Sequence, residues 1–394
     1  MDRRRLALLA SLFLAALALR PQLVGVGPLI PAIQDDLGVS HAVAGLLGTI
    51  PILCMGLFAP PGAFLSDRVG PRAAVAVCLA GIAVFGLARA VSPGAAGILA
   101  LTFGMSMGLG AAQSVMPVAV KEDFPTRPAF ATGVYALGIN VGSAVSSALA
   151  VPIAVATGSW RWSLVAFSLA TVALGGAWLG LTRGAPAHRR SAAGPPKLPW
   201  RNGLAWRLGC IFGLMAVTYY GLNAWLPDAY VERGWSEGRA GALLAVLNFA
   251  ALVTTLLVPF LADRFGSRRM YLVTLAGAIA TSVIGLELAP GAAWIFVAVI
   301  GFGFGGLFPL VMTLPLDVAH HPSDVGAVAA MMLLVGYMIG AASPLGLGAV
   351  RDVTGSFTAT LWLIAAASTG LVVLCSALSR ERLRAGTIRR PATP

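Results

Sequence analysis

The second half of this chain repeats the first. Asp67-Arg68-Val69-Gly70-Pro71-Arg72 recurs as Asp263-Arg264-Phe265-Gly266-Ser267-Arg268, an offset of 196 positions (263 − 67) in 394 residues. The same offset pairs Asp36-Leu37-Gly38-Val39-Ser40 with Glu232-Arg233-Gly234-Trp235-Ser236, and Pro31 with Pro227. One residue more carries Gly104 and Gly108 onto Gly301 and Gly305, and Gly158-Ser159 onto Gly355-Ser356. Registers that agree to within one residue over such a length mark a duplication, so the fold must be two copies of one unit.

The unit is a membrane unit. Charged residues are 11% of the chain and hydrophobic ones 58%, against roughly 25% charged in a soluble domain. Twelve apolar stretches are each near the ~20 residues a helix needs to cross the hydrocarbon. They fall at 6–33, 41–65, 73–91, 97–120, 128–155, 162–182, 205–227, 239–261, 270–288, 292–315, 325–350 and 357–379, six per half. The expected fold is therefore an all-α polytopic membrane protein: twelve transmembrane helices in two pseudo-symmetric six-helix bundles. The bundles would be 1–182 and 205–380, joined by a Pro- and Gly-rich linker at 183–204 and followed by a basic tail at 381–394. Internal repeats of this kind point to a transporter.

The net charge of +12 belongs to topology rather than to nucleic-acid binding. With the amino terminus inside, the cytoplasmic face collects most Lys and Arg, while the outer face has only Arg89, Arg161, Arg233, Arg239 and Arg351. That asymmetry predicts a multi-pass protein of the plasma (inner) membrane with both termini cytoplasmic. Met1-Asp2-Arg3-Arg4-Arg5 ahead of an apolar run resembles a signal peptide, but the run is too long and the repeat needs it as the first span. Cys54, Cys78, Cys210 and Cys375 all lie inside spans without metal spacing and read as small packing residues. Neither a phosphate-binding loop nor a cofactor or metal motif is evident.

Twelve spans, the six-plus-six repeat and Asp-Arg-x-Gly-x-Arg after the second and eighth spans resemble the major facilitator superfamily of transporters. The superfamily pattern is Gly-x-Leu-x-Asp-Arg-x-Gly-Arg-Arg. Here Ala63 and Pro259 replace its first Gly, and Pro71 and Ser267 its first Arg after the second Gly. Leu19-Arg20-Pro21, Val26-Gly27-Pro28-Leu29-Ile30-Pro31, Tyr220-Gly221-Leu222-Asn223-Ala224-Trp225-Leu226-Pro227 and Ser159-Trp160-Arg161-Trp162 are similar to its cyanate and nitroimidazole transporter branch. That branch implies small anionic or polar solutes.

Arg20 is the sharpest single residue. At about 1.5 Å per residue from Leu6 it lies roughly 20 Å into a core about 30 Å thick. A permanent charge there costs at least a few kcal/mol unless it faces a cavity or finds a partner. The acidic residues sit at or near span ends, so a partner supplied by an anionic solute is one reading. The other is that Arg20 snorkels, or binds backbone carbonyls freed by Pro21. Gln22, Gln113, Asn140, Tyr219, Tyr220, Asn223 and Tyr337 lie at comparable depth, on spans that the resemblance places around the solute path. Each has the amide or phenol needed to hydrogen-bond a small solute, or to bridge two helices. Asn248 is a lesser candidate, and Phe302, Phe304 and Phe308 would form an apolar wall or packing.

The resemblance gives Asp67, Arg68, Arg72, Asp263, Arg264 and Arg268 a gating role, locking the cytoplasmic side by contact with a helix start of the other half. By repeat symmetry Asp67 would meet the eleventh span near Ser323, and Asp263 the fifth near Thr126. The expected function is alternating-access transport of a small anion by a monomer, with protons as a coupling ion left open. Efflux of neutral or weakly basic compounds and a non-transporting sensor are the alternatives. Without a mid-membrane His, Asp or Glu constellation, no catalytic residues are expected and an enzyme is excluded.

Overall fold

The computed structural model of the chain describes residues 3–38, 41–183, 197–265, 268–319 and 322–378. Most of the expected linker, the tail, Gly266 and Ser267 therefore lie outside the described residues. Lipid offers the backbone no hydrogen-bond partners, so each crossing must satisfy its own, and the regular structure among the described residues is helical. In chain order the helices are α1 (Arg3–Ala18), α2 (Pro21–Val24), α3 (Ile30–Leu37), α4 (His41–Leu57), α5 (Ala59–Val69), α6 (Pro71–Ala90), α7 (Ala95–Asp123) and α8 (Pro128–Thr157). They continue with α9 (Trp160–Leu181), α10 (Gly203–Glu232), α11 (Glu237–Phe265), α12 (Arg268–Leu288), α13 (Ala293–Val318), α14 (Pro322–Thr354) and α15 (Phe357–Ser376). Eleven stretches among the described residues are long and apolar enough to cross a membrane, and α4 with α5, bent by 52° where they meet, makes twelve.

Two spans depart from the single helices expected at 6–33 and 41–65, and proline is the reason in both. The first span runs over Arg3–Leu37 as α1, α2, a 3-10 turn at Gly27–Leu29, and α3. Pro21, Pro28 and Pro31 lack the N–H that would carry the helix through, and each opens a new segment at one of its first two positions. In the second span Pro60 and Pro61 cannot donate to the carbonyls four residues back, and the bend falls at Phe58. Their counterparts α10 and α11 are unbroken over 30 and 29 residues despite Pro227 and Pro259.

The duplication shows in the backbone. Gly38 and Gly234 have φ of 60° and 85°, and Gly158 and Gly355 both have φ of 71°. These left-handed turns end repeat-related helices, where any side chain would be strained. After them, Ser159 caps α9 by accepting from the Arg161 N–H, and Ser356 caps α15 by accepting from the Thr358 N–H. Asp36 accepts from Trp160 Nε1 (3.2 Å) and Arg161 (2.8 Å), and Glu232 accepts from Ser356 Oγ (3.2 Å) and the Phe357 N–H (3.3 Å).

Glycines set the helix spacing in both halves at shifted positions, and on α7 it is Gly110 whose Cβ would lie 2.2 Å from the Cys54 carbonyl of α4. A Cβ at Gly301 or Gly305 of α13 would lie 2.2 or 2.0 Å from carbonyl oxygens of α11. Their repeat counterparts Gly104 and Gly108 of α7 instead pack on Phe85 and the Cys78 carbonyl of α6. Arg89 also departs from expectation. Placed by sequence on the outer face, it is 1% exposed in the last turn of α6, inside the first bundle.

Candidate functional site

Both the first and the last described helices have their outer ends at one end of the molecule, called here the basic end because Arg68, Arg72, Arg264 and Arg268 share it. A cavity of about 710 Å³ lies between the halves, away from that end. Its walls include Leu47 and Ile52 of α4, Asn140 and Ser147 of α8, and Asn248 and Phe249 of α11, on the stretches of those helices nearer the opposite end.

Six of the eight expected site residues line this cavity: Arg20, Asn140, Tyr219, Tyr220, Asn223 and Tyr337. Arg20 occupies the break between α1 and α2, and its carbonyl accepts from the Leu23 and Val24 N–H groups at 3.0 and 2.9 Å. Its guanidinium lies within electrostatic reach of the phenols of Tyr135, Tyr219, Tyr220 and Tyr337. Its Nε is buried without a hydrogen-bond partner. Among the lining residues Arg20 alone carries a charge.

The opposite wall is hydrogen-bonded. Tyr219 donates to Asn248 Oδ1 at 3.0 Å, and Asn223 Nδ2 donates to the Tyr219 carbonyl at 2.8 Å. Asn140 Nδ2 donates to Thr255 Oγ1 at 3.2 Å, from α8 to α11, so this amide spans the two halves. Phe304 and Phe308 of α13 also line the cavity, whereas Phe302 is 41% exposed and is not among the lining residues.

Gln22 and Gln113 do not line the cavity. Gln22 is fully buried within the first bundle, where its amide donates to the Leu164 carbonyl (3.1 Å) and Ser168 (2.7 Å) and accepts from Arg89 (2.5 Å). Gln113 is buried beneath the cavity, with Nε2 at 3.5 Å from the Tyr337 hydroxyl, the long limit of a hydrogen bond. Thr255 and Arg89 were not read from the sequence as site or core residues; a threonine and an arginine in apolar runs reveal neither the wall nor the core they face.

The halves meet at the basic end. Asp263 accepts from the Phe130 N–H at 2.7 Å, at the start of α8, one turn beyond the Thr126 expected from symmetry. A carboxylate there meets the unpaired N–H groups and positive dipole end of the helix. Lys121 of α7 donates to the Leu316 carbonyl of α13 at 3.0 Å. Asp67 is 4% exposed on α5, and α5 packs on α14, with the Gly326 Cβ position 3.6 Å from Ala63 Cβ. Arg72 pairs with Asp123, and Arg268 with both Asp317 and Asp263. Asp123 and Asp317 are near-equivalents in the repeat, and that offset was the available signal for them. Arg68 and Arg264 are exposed and stand outside these pairs.

Comparison with known proteins matches this architecture. Residues 6–344 match the family described as Major Facilitator Superfamily. The cyanate transport protein CynX of Escherichia coli (strain K12) is 30% identical over 93% of this chain and 96% of its own length. The 2-nitroimidazole transporter of the same organism is 28% identical, over 96% of this chain and 97% of its own. The crystal structure of the transporter FucP in the outward conformation superposes with a TM-score of 0.75 at 15% identity, covering 94% of this chain and 97% of FucP, a likeness of fold alone. Repeat, twelve spans, central cavity and family match agree: this chain is a membrane transporter, not an enzyme, and belongs to the Major Facilitator Superfamily.

Proposed function

We propose that the protein is a secondary transporter for a small monovalent anion, which pairs with Arg20 and crosses as the two halves rock about the cavity. One observation carries this reading: a guanidinium on the wall of a cavity between the halves, with no carboxylate among the described residues that line it. A cation in such a place is stabilised by an anion, and the solute is the group that can bring one. Asn140, Tyr219, Tyr220, Asn223 and Tyr337 then surround the bound anion with hydrogen-bond donors. Cyanate, named for CynX, is an anion of this kind. Conversely, the lack of a carboxylate in the wall disfavours a proton-antiport pump that uses one as its carrier.

The charge asymmetry supports a cytoplasmic basic end, membership of the family supports the plasma membrane, and a cavity away from the basic end would then face outward. Asp67 and Asp263 hold the cytoplasmic side shut in this state, with Arg72 and Arg268 fixed by Asp123 and Asp317 beside them. Movement is facilitated or coupled to protons, in the importing direction, by a monomer.

A second reading rests on the ring-lined wall of Tyr219, Phe304 and Phe308, which suits efflux of a neutral aromatic solute such as a nitroimidazole. The deciding experiment is thermal stabilisation of purified protein by cyanate, nitrate, formate and 2-nitroimidazole, with Arg20→Ala in parallel. A ligand of the folded state raises the melting temperature by mass action. Stabilisation by a small anion in wild type and its loss in the variant supports the anion reading. Stabilisation by 2-nitroimidazole alone, equal in both proteins, replaces it with the second.

A further inference from the structure

Arg20 stands at the head of a turn that closes its own hydrogen bonds but is cut off from the helix before it. α2 is four residues long, isolated between the break at Arg20 and the one at Gly25. Pro21 has no N–H to link it back to α1, and the Ala18 carbonyl is left with Thr171 Oγ1 at 3.5 Å. The Gln22 carbonyl lies beyond the reach of a continuing helix, because the chain turns into a 3-10 segment at Gly27.

Arg89 reaches this turn from behind. Its Nη2 donates to the Gln22 carbonyl at 2.8 Å and to Gln22 Oε1 at 2.5 Å, and its Nη1 donates to Thr102 Oγ1 at 3.2 Å. Gln22 Nε2 carries the link onward to the Leu164 carbonyl and Ser168 of α9. Gly86, one turn before Arg89, leaves the room: a Cβ there would lie 2.7 Å from Gln22 Cδ. No carboxylate among the described residues pairs with Arg89, so its charge is met by backbone and side-chain dipoles concentrated on Gln22.

We propose that Arg89 and Gln22 form a clip that fixes the α2 turn and thereby aims Arg20 into the cavity, making Arg89 a positioning residue for anion binding that never touches the anion. The proposal rests on the anion-binding reading of Arg20. A buried cation costs stability unless it is well hydrogen-bonded, and this one is fastened two residues from the only charge among the described residues of the cavity wall. Where function depends on aim, a misplacement of about 1 Å can cost up to about a hundredfold in rate, and a misaimed binding group is weakened in the same sense.

The test uses the full-length protein with sodium cyanate and sodium nitrate as probes. Wild type, Arg20→Ala, Arg89→Lys, Arg89→Met, the double variant Arg89→Met/Gln22→Met and Gly86→Ala are compared. The double variant guards against misfolding, because it replaces both buried polar side chains of the link with apolar groups of similar shape and leaves the Gln22 carbonyl as the end that loses Arg89. Two quantities are read: the melting temperature with and without anion, and KM and Vmax of uptake into proteoliposomes. The expected result is a KM raised about tenfold or more in Arg89→Met and in the double variant, with Vmax within about twofold of wild type. Arg89→Lys falls between, since it keeps the charge but not the forked contact, and Gly86→Ala shifts KM in the same direction. A purely structural clip would lower the anion-free melting temperature and leave KM alone. Should wild type respond to anion, Arg20→Ala fail to respond and the double variant match wild type in KM, the positioning role is wrong while the anion reading stands. Should no anion stabilise or cross with wild type, the anion reading falls and the positioning role with it.

Discussion

The first span of each half began as the same segment, and the two now do opposite work. In the first half it is cut by Pro21, Pro28 and Pro31 into short pieces, and the first cut exposes Arg20 to the cavity. In the second half α10 runs 30 residues without a break and presents Tyr219, Tyr220 and Asn223 from one continuous surface. The residue that corresponds to Arg20 by the 196 offset is Ala216, packed so closely on α14 that its Cβ is 2.7 Å from where a Gly340 Cβ would be. A break costs backbone hydrogen bonds and needs outside support, which Arg89 and Gln22 supply to the first half only. The lesson is that duplication provides two equivalent frames which have become unequal at the cavity: the first span of one half brings the charge, and that of the other brings Tyr219, Tyr220 and Asn223.

Moving the charge across the pseudo-symmetry axis tests that inequality most severely. Arg20→Ala is expected to weaken anion binding about a hundredfold, the scale of a charged hydrogen bond in a dry site. The exchange Arg20→Ala/Ala216→Arg is expected not to restore it, because residue 216, although it also borders the cavity, sits in an unbroken helix with its Cβ against Gly340 of α14. Recovery of cyanate uptake in the exchanged protein would show the halves to be interchangeable after all.

Smaller effects follow at the basic end, where Asp263 grips the start of α8. Asp263→Asn keeps the shape and loses the charge, and should shift the balance between open and closed basic ends by about tenfold. The readout is the alkylation rate of a cysteine at Ala129, a residue that is 0% exposed in this state, in a background lacking the four native cysteines. Asp67→Asn is the companion, and an equal shift would show that both halves share the lock. An unchanged rate in both would remove gating from these aspartates.

In the cavity wall, Tyr219→Phe deletes the donor to Asn248 and should raise KM about threefold, a neutral hydrogen bond's worth. The smallest effect is expected at the opposite end, where Asp36→Asn and Glu232→Gln loosen partly exposed clasps and should each cost less than about 1 kcal/mol. Melting temperatures of the two variants check this, and a large loss in one alone would reveal a further asymmetry between halves.

Much of the fold was legible because its causes are local or periodic. Span length follows from bilayer thickness, and the turns at Gly38, Gly158, Gly234 and Gly355 follow from glycine's access to positive φ. Arg20 and five aromatic or amide neighbours were legible too, as polar groups at mid-span depth. Depth, however, does not say which way a helix face turns. Gln22 and Arg20 are two residues apart, yet one enters the first bundle and the other the cavity. Arg89 looked like a loop charge because it ends an apolar run, and the bundle closes over it instead. Thr255 was passed over, although it takes the amide of Asn140 from the other half.

What the sequence by itself determined is the unit, its doubling and its medium: apolar runs of bilayer length, repeated at one offset, with charge gathered on alternate loops. These are properties of segments, and each segment carries its own signal. The tertiary structure alone decided which polar groups meet. It turned Gln22 inward to Arg89, set Asn140 against Thr255, brought Asp263 to the Phe130 N–H, and left Arg20 as the one charge among the described residues of the cavity wall. The physical reason is that these meetings depend on helix rotation and crossing. Those are fixed by the close approach of glycines to neighbouring backbones and by breaks at proline, summed over both halves at once.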